Sequence, residues 1–174
     1  AAARGLSVLP IKRVQTWEGF AHKHVPAAAN DPAASICVVV AQDIEAALEF
    51  KSAHERGDND RQGELLGYPQ CDREFFSQVW AAGYFDPVWQ AAKHSQYRTV
   101  ESGPRRIRVT AHPYSNPLLR YAGIRVGFHI PHSFFCAETV AAAERRMELA
   151  REVDPDMARL LEAFLRMPCS WDAY

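Results

Sequence analysis

The chain has 174 residues, 48% apolar and 24% charged, which supports an ordinary globular core without an obligatory disulfide or structural metal. Formal net charge is −1 and the pI about 6.7, so the chain lacks the electrostatic footprint of a nucleic-acid or anionic-membrane binder. No apolar run approaches the roughly 20 residues that span a bilayer, and AAARGLSVLPIKRVQ lacks a signal peptide's apolar stretch; the expectation is a soluble, cytoplasmic protein.

Residues 1–34 carry Pro10, Pro26 and Pro32 with little periodicity. They are expected to form an irregular arm, anchored by Trp17, Phe20 and Val25, ahead of one α+β domain over 35–174. SICVVVA (35–41) is a continuous β-branched run and predicts a buried strand. Asp43 can cap a helix that begins at once, with Ile44, Ala47 and Leu48 on its apolar face and Gly57 at its end. GDNDRQG (57–63) reads as a polar link. Pro69 suits the first position of a helix whose apolar face is Phe75, Phe76, Val79 and Trp80, and Gly83 stops it. Asp86–Pro87 opens a short helix to His94.

RRIRVTA (105–111) and IRVGFHI (124–130) read as two strands, joined by the proline-containing loop HPYSNPLLRY. Ser133 is placed to cap a long helix to about Val153, and Asp154–Pro155 to cap the last one, 157–167. The order predicts a small mixed or antiparallel sheet packed by several helices. No internal repeat, Gly-rich phosphate loop, G-x-S-x-G elbow or HExxH motif is present. ATPases, dinucleotide enzymes, α/β-hydrolases and zincins are therefore disfavoured.

Chemistry concentrates at two places. Cys71 falls in the first turn of the Pro69 helix, and Cys136 three residues after Ser133. Unpaired N–H groups at a helix start favour negative charge, which lowers a thiol's pKa and makes it a better nucleophile or ligand. The other two cysteines, Cys37 and Cys169, form no CxxC pair with these and read as small core residues. His129 and His132 flank Pro131, which stiffens the corner between strand and helix, a good mount for ligands. His129, His132 and Cys136 give the spacing H-x2-H-x3-C, which matches no standard zinc finger. With Cys71 they would make a Cys2His2 set. The neutral reading of each is a satisfied core or surface side chain, as it is for His22 and His24 in the arm.

Further candidates follow from position. Glu138, two residues past Cys136, and His112, on a loop behind a strand, are candidate proton carriers. Asn116 could orient a substrate, and Arg120 and Arg125, with Arg105, Arg106 and Arg108, could hold an anionic one. The bland alternatives are a first-turn acid complementing the helix dipole and the solvated face of a strand.

LLGYPQCDREFF resembles the LLGYPxCCxxFF segment, and HIPHSFFCAET the HxPCSxxCxxT segment, of a group of poorly characterised microbial proteins; PCSWDAY is similar to their closing aromatic segment. The likeness runs from about residue 46 to 174. It implies a shared Cys/His metal or redox site. Cys71, His129 and Cys136 match the pattern, whereas Asp72 and His132 stand where the family has cysteines. Both replacements can still ligate. They shift the set from all-thiolate toward nitrogen and oxygen, which disfavours an iron–sulfur cluster and favours zinc or mononuclear non-haem iron.

The leading expectation is a metal-dependent enzyme, Zn or Fe, acting on a small molecule. Cys71, Asp72, His129, His132 and Cys136 are its metal candidates. One alternative is a metal-free enzyme with a cysteine nucleophile at Cys71 or Cys136. Another is a metal-stapled interaction subunit. The aromatic ending CSWDAY suits a homo-oligomer or partner interface, or a chain cut short. All of this requires Cys71 to meet the 129–136 segment in space.

Overall fold

In a computed structural model of the chain, residues 5–15, 25–83, 86–95, 98–100, 106–167 and 169–172 are described. The chain divides into two compact units, 1–65 and 66–174. Both contain helices and antiparallel strands, an α+β fold.

The first unit is a three-stranded sheet with two helices. Strand β1 (Ser7–Gln15) lies between β2 (Val25–Pro26) and β3 (Ser35–Ala41), both antiparallel to it. The expected arm is thus a sheet component, and the expected boundary at 34/35 falls between two of its strands. Local composition misleads here because Pro10 interrupts the period. It has no N–H for the ladder, and the register slips between Pro10 and Lys12. Helix α1 (Ile44–Glu55) starts where Asp43 accepts from the Ala46 N–H at 2.7 Å. It ends at Gly57, whose φ of 68° is open to glycine at little cost. Two expectations need correction. Ile36, Val38 and Val40 are exposed, so β3 is an edge strand with one open face rather than a strand buried on both. The supposed polar link helps form helix α2 (Asn59–Leu65), because Asp58 accepts from the Arg61 N–H at 3.0 Å and caps it. Trp17, Phe20, His22 and His24 lie outside the described residues.

The second unit carries the chemistry. Gly67, at φ 71°, turns the chain into Tyr68–Pro69. Pro69 is the cap, one residue earlier than expected, of α3 (Gln70–Phe76). That helix continues as a π-turn over Ser77–Ala81, a wider winding that often marks functional segments. Phe75 and Val79 are buried while Phe76 and Trp80 are not. Asp86 caps α4 (Pro87–His94) by accepting from the N–H groups of Val88 and Trp89. Strands β4 (Arg98–Val100), β5 (Arg106–Val109) and β6 (Cys169–Asp172) form an antiparallel sheet with β5 central. The segment expected to face a partner thus includes an edge strand of this sheet.

No strand forms at 124–130. Val126 instead anchors the segment in a core with Tyr114, Ala143, Met147, Ala158 and Leu165. Apolar packing explains the alternation without a neighbouring strand to pair with. Helices α5 (Ala137–Val153) and α6 (Pro155–Leu165) follow. Asp154 caps the second by accepting from the Met157 N–H at 3.0 Å. A second core joins Phe75, Val79, Val88, Ala91, Ala92 and Phe134.

Candidate metal centre

Phe134 pins the 129–136 corner. Its side chain is fully buried. Its N–H donates to Ser95 Oγ at 2.9 Å, while its carbonyl accepts from the His112 N–H at 3.0 Å and from Ser115 Oγ at 2.5 Å. With Pro131 also fully buried, the corner has little freedom. Ser133 does not cap α5. Its oxygen takes the Phe135 N–H, and the cap is Cys136, whose Sγ accepts from the Thr139 N–H at 3.5 Å. The thiol therefore sits at the helix start itself.

The corner meets the start of α3. Cys71 Sγ and Cys136 Sγ are 3.7 Å apart. Cys71 Sγ lies 3.8 Å from Asp72 Oδ1, and Cys136 Sγ 3.9 Å from Asp72 Oδ2. One ligating atom from each of Cys71, Asp72, His132 and Cys136 falls within 4.8 Å of all the others, a group able to hold a metal ion. The two motifs thus converge.

Asp72 organises the group. Its side chain is 1% exposed. Oδ1 accepts from the His132 N–H and contacts His132 Nδ1, each at 2.8 Å. Oδ2 contacts His129 Nε2 at 2.7 Å and accepts from the Thr139 hydroxyl. Burial pushes this carboxyl up. The bonds to His129, Thr139 and His132 outweigh burial and hold it below the usual carboxylate range. A buried anion thus lies beside two thiols. Burial, the Asp72 charge and the Cys136 contact push the Cys71 thiol up to about 12. The expectation of a thiol acidified by its helix start is overturned at Cys71, because burial and then the carboxylate one residue away oppose it.

The remaining candidates divide. His129 belongs to the centre through Asp72: its side chain is 7% exposed, and Nε2 is spent on Asp72 Oδ2 rather than grouped with the four ligating atoms. Its Nδ1 is buried with no hydrogen-bond partner, and its ring packs at 4.7 Å on that of Tyr68. Glu138 reaches the rim, with Oε2 3.8 Å from Cys71 Sγ. His112 is placed elsewhere. Its Nδ1 accepts from the Tyr114 N–H at 3.3 Å; burial and then the Arg166 charge lower its pKa. Asn116 is structural, donating to the Leu165 carbonyl and accepting from the Leu118 N–H, both at 2.9 Å. Arg120 donates to the Pro117 carbonyl within its own turn at 3.3 Å. Arg125 is exposed and its charge acts on Tyr68.

Thr139 and Tyr68 were not singled out from sequence. Thr139 lies three residues after Cys136 and faces the same side as that cap, a relation that placing the cap at Ser133 conceals. Tyr68 sits in LLGYP, which shows a turn and conceals the ring contact behind it. No helix among the described residues is long and apolar enough to cross a membrane. No protein-family model, curated protein or solved structure matches the chain.

Proposed function

We propose that the Cys71/Asp72/His132/Cys136 group binds one divalent metal ion, zinc ahead of mononuclear iron, and uses it on a small molecule. The observation that carries this reading is the sulfur spacing. Tetrahedral zinc with Zn–S bonds of about 2.3 Å requires sulfurs about 3.8 Å apart, and the pair lies at 3.7 Å. The charge balance supports it too. A cation would offset the burial and the Asp72 charge that together keep Cys71 protonated, with loss of thiol protons on binding. The same two causes disfavour a metal-free thiolate nucleophile at Cys71.

Catalysis is favoured over a structural staple by the uneven burial of the group. Asp72 and Cys136 are buried, but the His132 side chain is 36% exposed and Cys71 half-buried. Asp72 already accepts on both oxygens. In this reading Cys71, His132 and Cys136 are the principal ligands, and Asp72 orients His132 or a bound water. Zinc held by Cys71, His132 and Cys136 would supply Lewis-acid chemistry toward a carbonyl or a water, and Glu138 at the rim would carry the proton.

Elemental analysis of the purified chain tests the reading. About one equivalent of zinc or iron is expected, falling below about a tenth in Cys71→Ser and Cys136→Ser variants that remain folded by circular dichroism. Folded parent protein that neither retains nor takes up metal sinks it. Cobalt substitution then separates the two roles: a spectrum that responds to added anions marks an open position, and an inert four-protein-ligand spectrum marks a staple.

A further inference from the structure

Two arginines, Arg146 and Arg125, act on Tyr68, whose ring packs on that of His129, and among the described residues neither has an acidic partner. Thr139, which holds Asp72, and Arg146 are seven residues apart on α5, so they share a face about 10.5 Å apart along the axis. Side chains on a helix lean toward its N-terminus, which brings the Arg146 guanidinium back toward the metal end. It rests over the Phe128 ring, 4.9 Å from the centroid, beside His129 in sequence. Its Nη1 is buried with no hydrogen-bond partner. Among the described residues neither Arg146 nor Arg125 has a carboxylate partner, although the chain holds 21 acidic residues. Both guanidinium charges act on the Tyr68 phenol, whose ring packs against His129. Burial raises the Tyr68 pKa despite those charges, so the hydroxyl stays a donor at neutral pH.

We propose that Arg146, Arg125 and the Tyr68 hydroxyl bind a carboxylate, and that the substrate of the neighbouring metal centre is a small carboxylate with an apolar body. This rests on the metal reading for its second half only. The orphaned Arg146 Nη1 calls for an anion, since a buried unpartnered donor carries a desolvation penalty that an anionic acceptor removes, and the exposed Arg125 adds a second charge. Phe128, 61% exposed, offers an apolar floor beside them. A planar carboxylate with an attached ring or alkyl group matches a guanidinium fork over an aromatic. A guanidinium fork also fits phosphate, but a phosphate has more acceptor oxygens to satisfy, and Arg146 lies in the body of α5, where no helix-start N–H groups add donors.

Isothermal titration of the full chain with sodium benzoate and with inorganic phosphate tests the site, with zinc measured in the same samples. Saturable benzoate binding, tighter than phosphate, is expected. It should weaken about tenfold or more in Arg146→Gln, by less in Arg146→Lys and Arg125→Gln, and least in Tyr68→Phe, with zinc content unchanged. Arg125 is exposed, so its variant decides the matter if Arg146→Gln fails to fold. No saturable binding of benzoate overturns the proposal, as does binding that none of these variants weakens or phosphate binding tighter than benzoate. Benzoate binding in a chain that takes no zinc refutes the metal reading alone. Zinc uptake with no benzoate binding refutes the carboxylate site alone.

Discussion

Two polar networks tie the second unit together, and they are built to opposite rules. In one, Tyr114 donates to Glu162, and Arg151 reaches both Glu162 and the Tyr114 oxygen. An acid, a base and a hydroxyl satisfy each other across α5 and α6. In the other, Asp72 gathers His129, His132 and Thr139 but leaves two thiols in contact beside a buried anion. The first network is electrically closed. The second sets two sulfurs 3.7 Å apart beside a buried carboxylate, a grouping able to hold a metal ion. Closure suits a staple, and ionisable groups crowded around a buried anion suit a binding site.

The largest break in this comparison comes from Asp72→Ala. The His132 N–H, His129 Nε2 and the Thr139 hydroxyl would lose their shared acceptor in a buried setting. A loss of about 3–5 kcal/mol in unfolding free energy is expected, together with loss of bound metal. Denaturant unfolding of the metal-free protein isolates the first effect. A change below about 1 kcal/mol would show that the carboxylate is no organiser.

The closed network should respond differently. Tyr114→Phe removes one hydroxyl and leaves the ring in the core, so about 1 kcal/mol is expected, with metal content untouched. Metal loss in this variant would mean that the two networks are coupled and that closure is no guide to role.

Much of this was legible in the sequence, unevenly. The caps Asp43, Asp86 and Asp154 act locally, through hydrogen bonds to N–H groups two or three residues on, so one short window contains the whole cause. The convergence of Cys71 with Cys136 was foreseeable only as a requirement, since 65 residues separate them. IRVGFHI failed as a strand because alternation records which side chains are buried and not what buries them: Val126 meets helices where a strand neighbour was expected. β1 was missed for the converse reason, as Pro10 hides a strand whose ladder simply shifts register around it. His129 contacts Asp72 rather than joining the four grouped ligating atoms. Sequence marks a histidine as able to ligate, while the partner of its Nε2 is a tertiary fact.

The smallest effect is an acid response that separates the networks by exposure. The Tyr114 hydrogen bond holds the Glu162 carboxyl below its ordinary value, burial opposes this, and Arg151 adds to it. A carboxyl with its folded pKa depressed contributes stability that is fully present above its unfolded value, about 4.3, and lost as pH falls through the folded one. The gap in melting temperature between the parent and Glu162→Gln should therefore narrow from pH 6 toward pH 3. The Glu162 side chain is 20% exposed and Arg151 is 42% exposed, so solvent screens the pair and the narrowing should be only a few degrees. Asp72, at 1% exposure, has no such screening and is held lower, so its contribution should be lost at a more acidic pH than that of Glu162. A gap that stays constant across the range would mean that Glu162 is held by shape alone. The Tyr114 network would then have to be read as packing, and its contrast with the Asp72 site would rest on burial instead of charge.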